Sequence, residues 1–269
     1  MKKFLTAILL VGAMMFNAAS TVAAHPKEKD TLYQVALLQS LALGNFDGTI
    51  TVKELKTYGD TGIGTFNGLD GEMIVLDGVV YRANQNCKVN VVADNVKIPF
   101  CNVAFFNSHS GGELADFYGK AQLDATLNES IRDENAVNSF YMVKISGEFS
   151  NLKIRSESKQ SKPYPTLVEA LEKTQKEFTH KKIRGTIVGL YCPEFMSSLN
   201  TTGWHFHFIS EDKKIGGHVL DVSVERARFE LDKIDAFRMV LPKTDAFNAL
   251  DFSRDLKEDI RKAEHNSYR

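Results

Sequence analysis

Hydrophobic and polar positions alternate along much of this chain with the period of two that sorts strand side chains onto opposite faces. "WHFHFI" at 204–209 is the plainest case, with aromatic and β-branched residues interleaved with two histidines. "EMIVL" and "VVYRA" flank Asp77-Gly78, a dipeptide suited to a two-residue hairpin loop. "VNVVADNVKIPFCNVAFF", "NSFYMVKISGEFSNLKIRS", "IRGTIVGLYCPEF" and "GGHVLDVSVERARFELDKI" carry further strand character. Helical spacing appears at residues 31–43, where Leu32, Val35, Leu38 and Ala42 fall near one face, in "GELADFYGKAQLDATL", and in the final "FSRDLKEDIRKAEH". "SKPYPTLVEALEKTQKEF" is the clearest helix. Thr166 and Glu169 form a capping box after Pro165, and Leu167, Leu171, Thr174 and Phe178 make one face.

The elements do not alternate as βαβ units, so the expected class is α+β. The pattern predicts a β-rich, two-part architecture of mixed sheets with flanking helices. The stretch 156–165 is the internal boundary, giving parts 25–160 and 161–269, the second carrying the histidine strands.

The first residues stand apart. Lys2 and Lys3 precede an apolar run over 4–16, and Val22-Ala23-Ala24 offers a small-residue cleavage site. Residues 1–24 read as a signal peptide, because the run is too short to span a bilayer. Export to a periplasm or beyond is expected, with no membrane attachment after cleavage. Charge is near balance, 33 Lys+Arg against 34 Asp+Glu. No basic stripe interleaved with aromatics points to nucleic acid, and no polybasic segment to an anionic membrane. An exported chain with Cys87, Cys101 and Cys192 could pair two and leave one over, Cys87 with Cys101 being the first choice, and the sequence leaves their state open.

The chain has seven histidines, and His205, His207 and His218 stand close together. Residues two apart on a strand share a face at roughly 6.6 Å between Cα atoms. "SEDKKIGG" suits a hairpin connection, which returns His218 beside the pair. Three imidazoles with an open position are the ligand set of catalytic zinc. Manganese, iron, nickel and cobalt also accept imidazole. A lone histidine on a strand is usually a satisfied core residue, but three gathered imidazoles without partners would be costly.

These residues sit in blocks that resemble one family, the α-acetolactate decarboxylases. The blocks are "GTFNGLDGEMIVLDGVVYRA", "KIRSESKQSKPYPTL", "RGTIVGLYCPEFM" and "GWHFHFISEDKKIGGHVLDV", in the family's order and over most of the chain. Trp204 and Phe206 stand where the family usually has Tyr and Leu. The resemblance implies conversion of 2-acetolactate to acetoin and carbon dioxide, with zinc held by His205, His207 and His218. It implies Glu72 as proton relay, Arg155 as the group that holds the substrate carboxylate, and Glu264 at the metal site. A homodimer and an R product are implied too. The chemistry is coherent: the substrate hydroxyl and ketone can share one Lewis-acid cation, which serves as electron sink as carbon dioxide leaves.

Two other readings compete. A cupin would add Glu211 as ligand through "HFHFISE". A non-catalytic exported protein could hold metal or a small ligand with no turnover.

Overall fold

A computed structural model of the chain describes residues 28–265, residue 198 excepted. The expected signal peptide lies outside those residues. The chain opens with β1 (Thr31–Val35), α1 (Leu38–Ala42), β2 (Ile50–Thr51) and α2 (Val52–Leu55). Then come β3 (Thr61–Thr65), β4 (Glu72–Leu76), β5 (Val79–Ala83), β6 (Val89–Val91), β7 (Lys97–Ile98) and β8 (Phe100–Ala104). β9 (Ser110–Phe117), α3 (Lys120–Asp133), β10 (Phe140–Ser156) and α4 (Leu167–Thr174) follow. β11 (Lys176–Cys192), β12 (Gly203–Ser210), β13 (Gly216–Ile234), β14 (Ala236–Val240), α5 (Asp245–Asn248) and α6 (Lys257–His265) complete the order. The class is α+β, as the pattern predicts.

One sheet runs β14-β1-β8-β3-β4-β5-β6 and another β10-β11-β12-β13-β9. β10 also pairs with β13, so β10 to β13 close into a ring. β9 and β10 both precede residue 160 yet belong to the second sheet, and β14 follows it yet lies parallel to β1 in the first. The first part of the chain thus lends two strands to the second sheet and the second part lends one to the first.

Strand parity decides what lies between the sheets. Trp204, Phe206 and Phe208 of β12 enter one apolar cluster with Leu127, Val143 and Phe149. Ile209, of the opposite parity, packs with Ile63, Ile74, Met142 and Leu190 in another. His205 and His207 share the parity of Ile209, so pleating turns both imidazoles toward the first sheet. A cluster including Leu38 and Leu41 of α1, Leu167 and Leu171 of α4 and Ile260 and Ala263 of α6 roofs the same region.

The Asp77-Gly78 hairpin forms, both central residues having positive φ, 50° and 79°, as a type I′ turn requires. Several other expectations change. Residues 31–43 are a strand and then a short helix, because β1 pairs with both β8 and β14, and Ala36 turns the chain at φ 61°. Sheet pairing outweighs helical spacing there. In "GELADFYGKAQLDATL", β9 pairs with β13 and the helix starts only after Gly119. The Lys120 N–H of that helix is capped from another strand, by Asp221 Oδ1 at 2.9 Å. α4 keeps its capping box but ends at Thr174, and Phe178 belongs to β11. The Cys87–Cys101 disulfide is absent: all three cysteines are free and buried, and those two lie in different apolar clusters. Among the described residues, no helix is long and apolar enough to cross a membrane.

Candidate metal centre

The short β12–β13 ladder pairs His207 directly with His218, and His205 stands two residues along the same face. His205 Nε2 lies 3.2 Å from His207 Nε2 and 3.0 Å from His218 Nδ1. A tetrahedral ion with metal–nitrogen distances of about 2.0–2.1 Å would hold its nitrogens about 3.3 Å apart. The two distances from His205 fit that edge length, and the three ligand atoms all lie within 4.8 Å of one another. Gly217 makes the approach possible, since a Cβ there would meet the Arg155 carbonyl oxygen at 2.5 Å.

The outward nitrogens settle the tautomers. His207 Nδ1 donates to the Met73 carbonyl at 2.7 Å, and His218 Nε2 donates to the Glu264 carbonyl at 2.8 Å. A carbonyl oxygen only accepts, so His207 Nε2 and His218 Nδ1 are left with lone pairs. Both face His205 Nε2, whose single hydrogen could serve only one of them. A shared cation resolves that conflict, which is the feature of the site that fits a metal. Burial holds His207 down to about pKa 4 and holds His218 well below the usual imidazole range, with Arg155 adding to the latter. Neutral rings are what metal binding needs. The same neutrality means that the 3.4 Å contact between His207 Nε2 and Glu72 Oε2 is not an ion pair.

The remaining predicted residues converge on this point. Glu72 begins β4, opposite Thr65 in register. Arg155 lies near the end of β10, opposite His218. Its Nη1 donates to Glu72 Oε1 at 2.7 Å, and its Nη2 to the Ala263 carbonyl at 3.0 Å. Glu264 of α6 brings Oε2 to 3.3 Å from His205 Nε2. All six side chains line one cavity of about 30 Å³, with Leu38, Leu41, Leu167 and Leu171 in its apolar wall. Burial first, and then Glu157, push Glu72 up to about pKa 8, against the pull of Arg155.

Glu157 was not singled out from the sequence. It is buried, accepts from Arg155 Nη1 at 3.3 Å and shares a hydrogen bond with Glu72. Its signal was faint: an acidic residue two positions beyond Arg155 in "RSES" belongs on the same face. Glu211, the extra ligand a cupin would need, sits beyond the end of β12 with its side chain 70% exposed and paired to Arg184. It takes no part in the site.

The alpha-acetolactate decarboxylase family profile matches residues 32–254 of the chain. The chain belongs to that family. With it comes the reaction class of a carboxy-lyase. The alpha-acetolactate decarboxylase of Brevibacillus brevis is 38% identical over 243 residues, covering 90% of this chain and 84% of that protein. The one from Bacillus licheniformis is 37% identical over 241 residues, covering 89% and 94%. The crystal structure of the Bacillus subtilis strain 168 alpha-acetolactate decarboxylase superposes with a TM-score of 0.84 at 33% identity, covering 88% of this chain and 100% of that one. The family match stops at residue 254, so the place of Glu264 in the decarboxylase site rests on the geometry given above.

Proposed function

We propose that the protein decarboxylates 2-acetolactate to acetoin and carbon dioxide with a divalent metal, zinc foremost, held by His205, His207 and His218. The observation that carries this reading is the pair of imidazole lone pairs aimed at a third imidazole nitrogen, inside a cavity shared with Arg155 and Glu72. When bound, the ion supplies a Lewis acid for the substrate's hydroxyl and ketone oxygens.

Arg155 holds the substrate carboxylate by charge-assisted hydrogen bonds, and its hold lapses as that group becomes neutral carbon dioxide. An anionic substrate giving two neutral products takes up one proton per turnover. Glu72 has the proton to give: its raised pKa keeps the carboxyl protonated near neutrality, beside the reacting carbon's place. Glu264 closes the far side of the histidines and shares the relay or caps the ion. The aliphatic roof keeps water from competing for the proton. The apolar wall that α1 and α4 contribute lies over the place where the substrate would bind. The amino-terminal segment supports export, and the family resemblance supports a homodimer. Both belong to this reading.

The deciding experiment is acetoin formation from acetolactate by purified protein, with and without chelator, followed by readdition of zinc. Acetoin that appears, disappears on chelation and returns with the metal is the expected result. Metal binding without acetoin would mark a non-catalytic binding protein instead.

A further inference from the structure

Within the site just proposed, and resting on that reading, one buried carboxylate has no assigned task. Glu157 follows β10 by one residue, on the same side of the extended chain as Arg155. Between them Ser156 is buried, and its Oγ donates to the Ala83 carbonyl at 2.9 Å. Ala83 is the register partner of Glu72. That hydrogen bond fastens the end of β10 beside β5, so that Glu157 faces Glu72.

Arg155 Nη1 is therefore divided between two carboxyl groups, Glu72 Oε1 at 2.7 Å and Glu157 Oε2 at 3.3 Å. Nη2 is taken by the Ala263 carbonyl at 3.0 Å. A guanidinium with a single carboxyl group beside it can turn more of its donors onto that group's oxygens. With Glu72 alone, such a turn would take the donors away from an incoming substrate carboxylate. It would also tie up the group that delivers the proton. Glu157 draws Nη1 from the other side and opposes that collapse.

We propose that Glu157 is a positioning residue, an acceptor that keeps Arg155 aimed into the cavity and Glu72 free for proton transfer. What it contributes to the aim of Arg155 is an oxygen at a fixed place, which an amide can also supply.

The test compares Glu157→Gln with Glu157→Met in metal-loaded full-length protein. Glutamine keeps an acceptor oxygen without the charge, whereas methionine fills similar volume with no acceptor. Glu157→Gln is expected to keep KM within about threefold of the parent, and Glu157→Met to raise KM about tenfold. Metal content should match the parent in both. If the methionine variant does not fold, Glu157→Ala gives the same contrast. A methionine or alanine variant with the parent's KM overturns the proposal, and so does equal damage in the glutamine variant. A parent that forms no acetoin would instead overturn the functional reading itself, so the two failures are distinguishable.

Discussion

His207 donates its Nδ1 hydrogen to the carbonyl oxygen of Met73 at 2.7 Å, and Met73 directly follows Glu72 on β4. A ring of the second sheet is thereby tied to the strand of the first that carries Glu72. The bond fixes which nitrogen of His207 faces the metal position and where that position lies relative to Glu72.

Removing this ring should abolish metal retention. His207→Ala is expected to leave the protein substantially metal-free after dialysis and to lower acetoin formation by about a hundredfold or more. Elemental analysis alongside the acetoin assay checks both. Full metal occupancy in this variant would place the ion elsewhere.

Glu72 is assigned the proton, not the metal. Glu72→Gln should keep metal content near that of the parent while kcat falls by about 10²–10⁴-fold, the usual scale of lost acid–base catalysis. Comparable turnover in the variant would remove Glu72 from the relay.

Arg155 is assigned the carboxylate. Lysine preserves the charge but not the planar fork, so Arg155→Lys should raise KM by about tenfold or more with metal retained. Initial rates over a range of acetolactate concentrations would reveal it, and an unchanged KM would argue that the carboxylate binds elsewhere.

Away from the site, Asp232 is buried near the end of β13, opposite Met142, and accepts from the Asn107 N–H at 3.1 Å. Burial pushes its pKa up from 3.8 to about 6. The native state therefore holds that proton more tightly than the unfolded chain, and stability falls as pH rises from about 4 to about 6. Above that window the penalty is fully present; below it there is none. Asp232→Asn, which still offers an acceptor oxygen, should unfold at a higher temperature than the parent at pH 7–8 and at the same temperature near pH 4. Each kcal/mol gained would appear as about 2–4 °C for a chain of this size. Equal melting temperatures at both pH values would refute the assignment.

The histidine strand was legible because its information is local. Alternation in "WHFHFI" sets one face for both imidazoles whatever packs against them, and Asp77-Gly78 tolerates the two positive φ angles of its turn by local sterics alone. The capping box at Thr166 is likewise complete within four residues. Residues 31–43 misled for the converse reason. Their apolar spacing is compatible with a helix, and only the presence of β8 and β14 on either side makes a strand the better use of the same backbone groups.

The chain's own order of residues determined the parity of β12, the hairpin that returns His218, and the family to which those blocks belong. The family resemblance named Glu72 and Glu264, but how the carboxyl groups meet, and that Glu157 joins them, was decided only in three dimensions. Glu72, Glu157 and Glu264 each look like ordinary solvated charges in their own segments. They become buried, and their protons and partners become consequential, only because two sheets and a helical roof close over them and leave Arg155 and the imidazoles as the polar groups within reach.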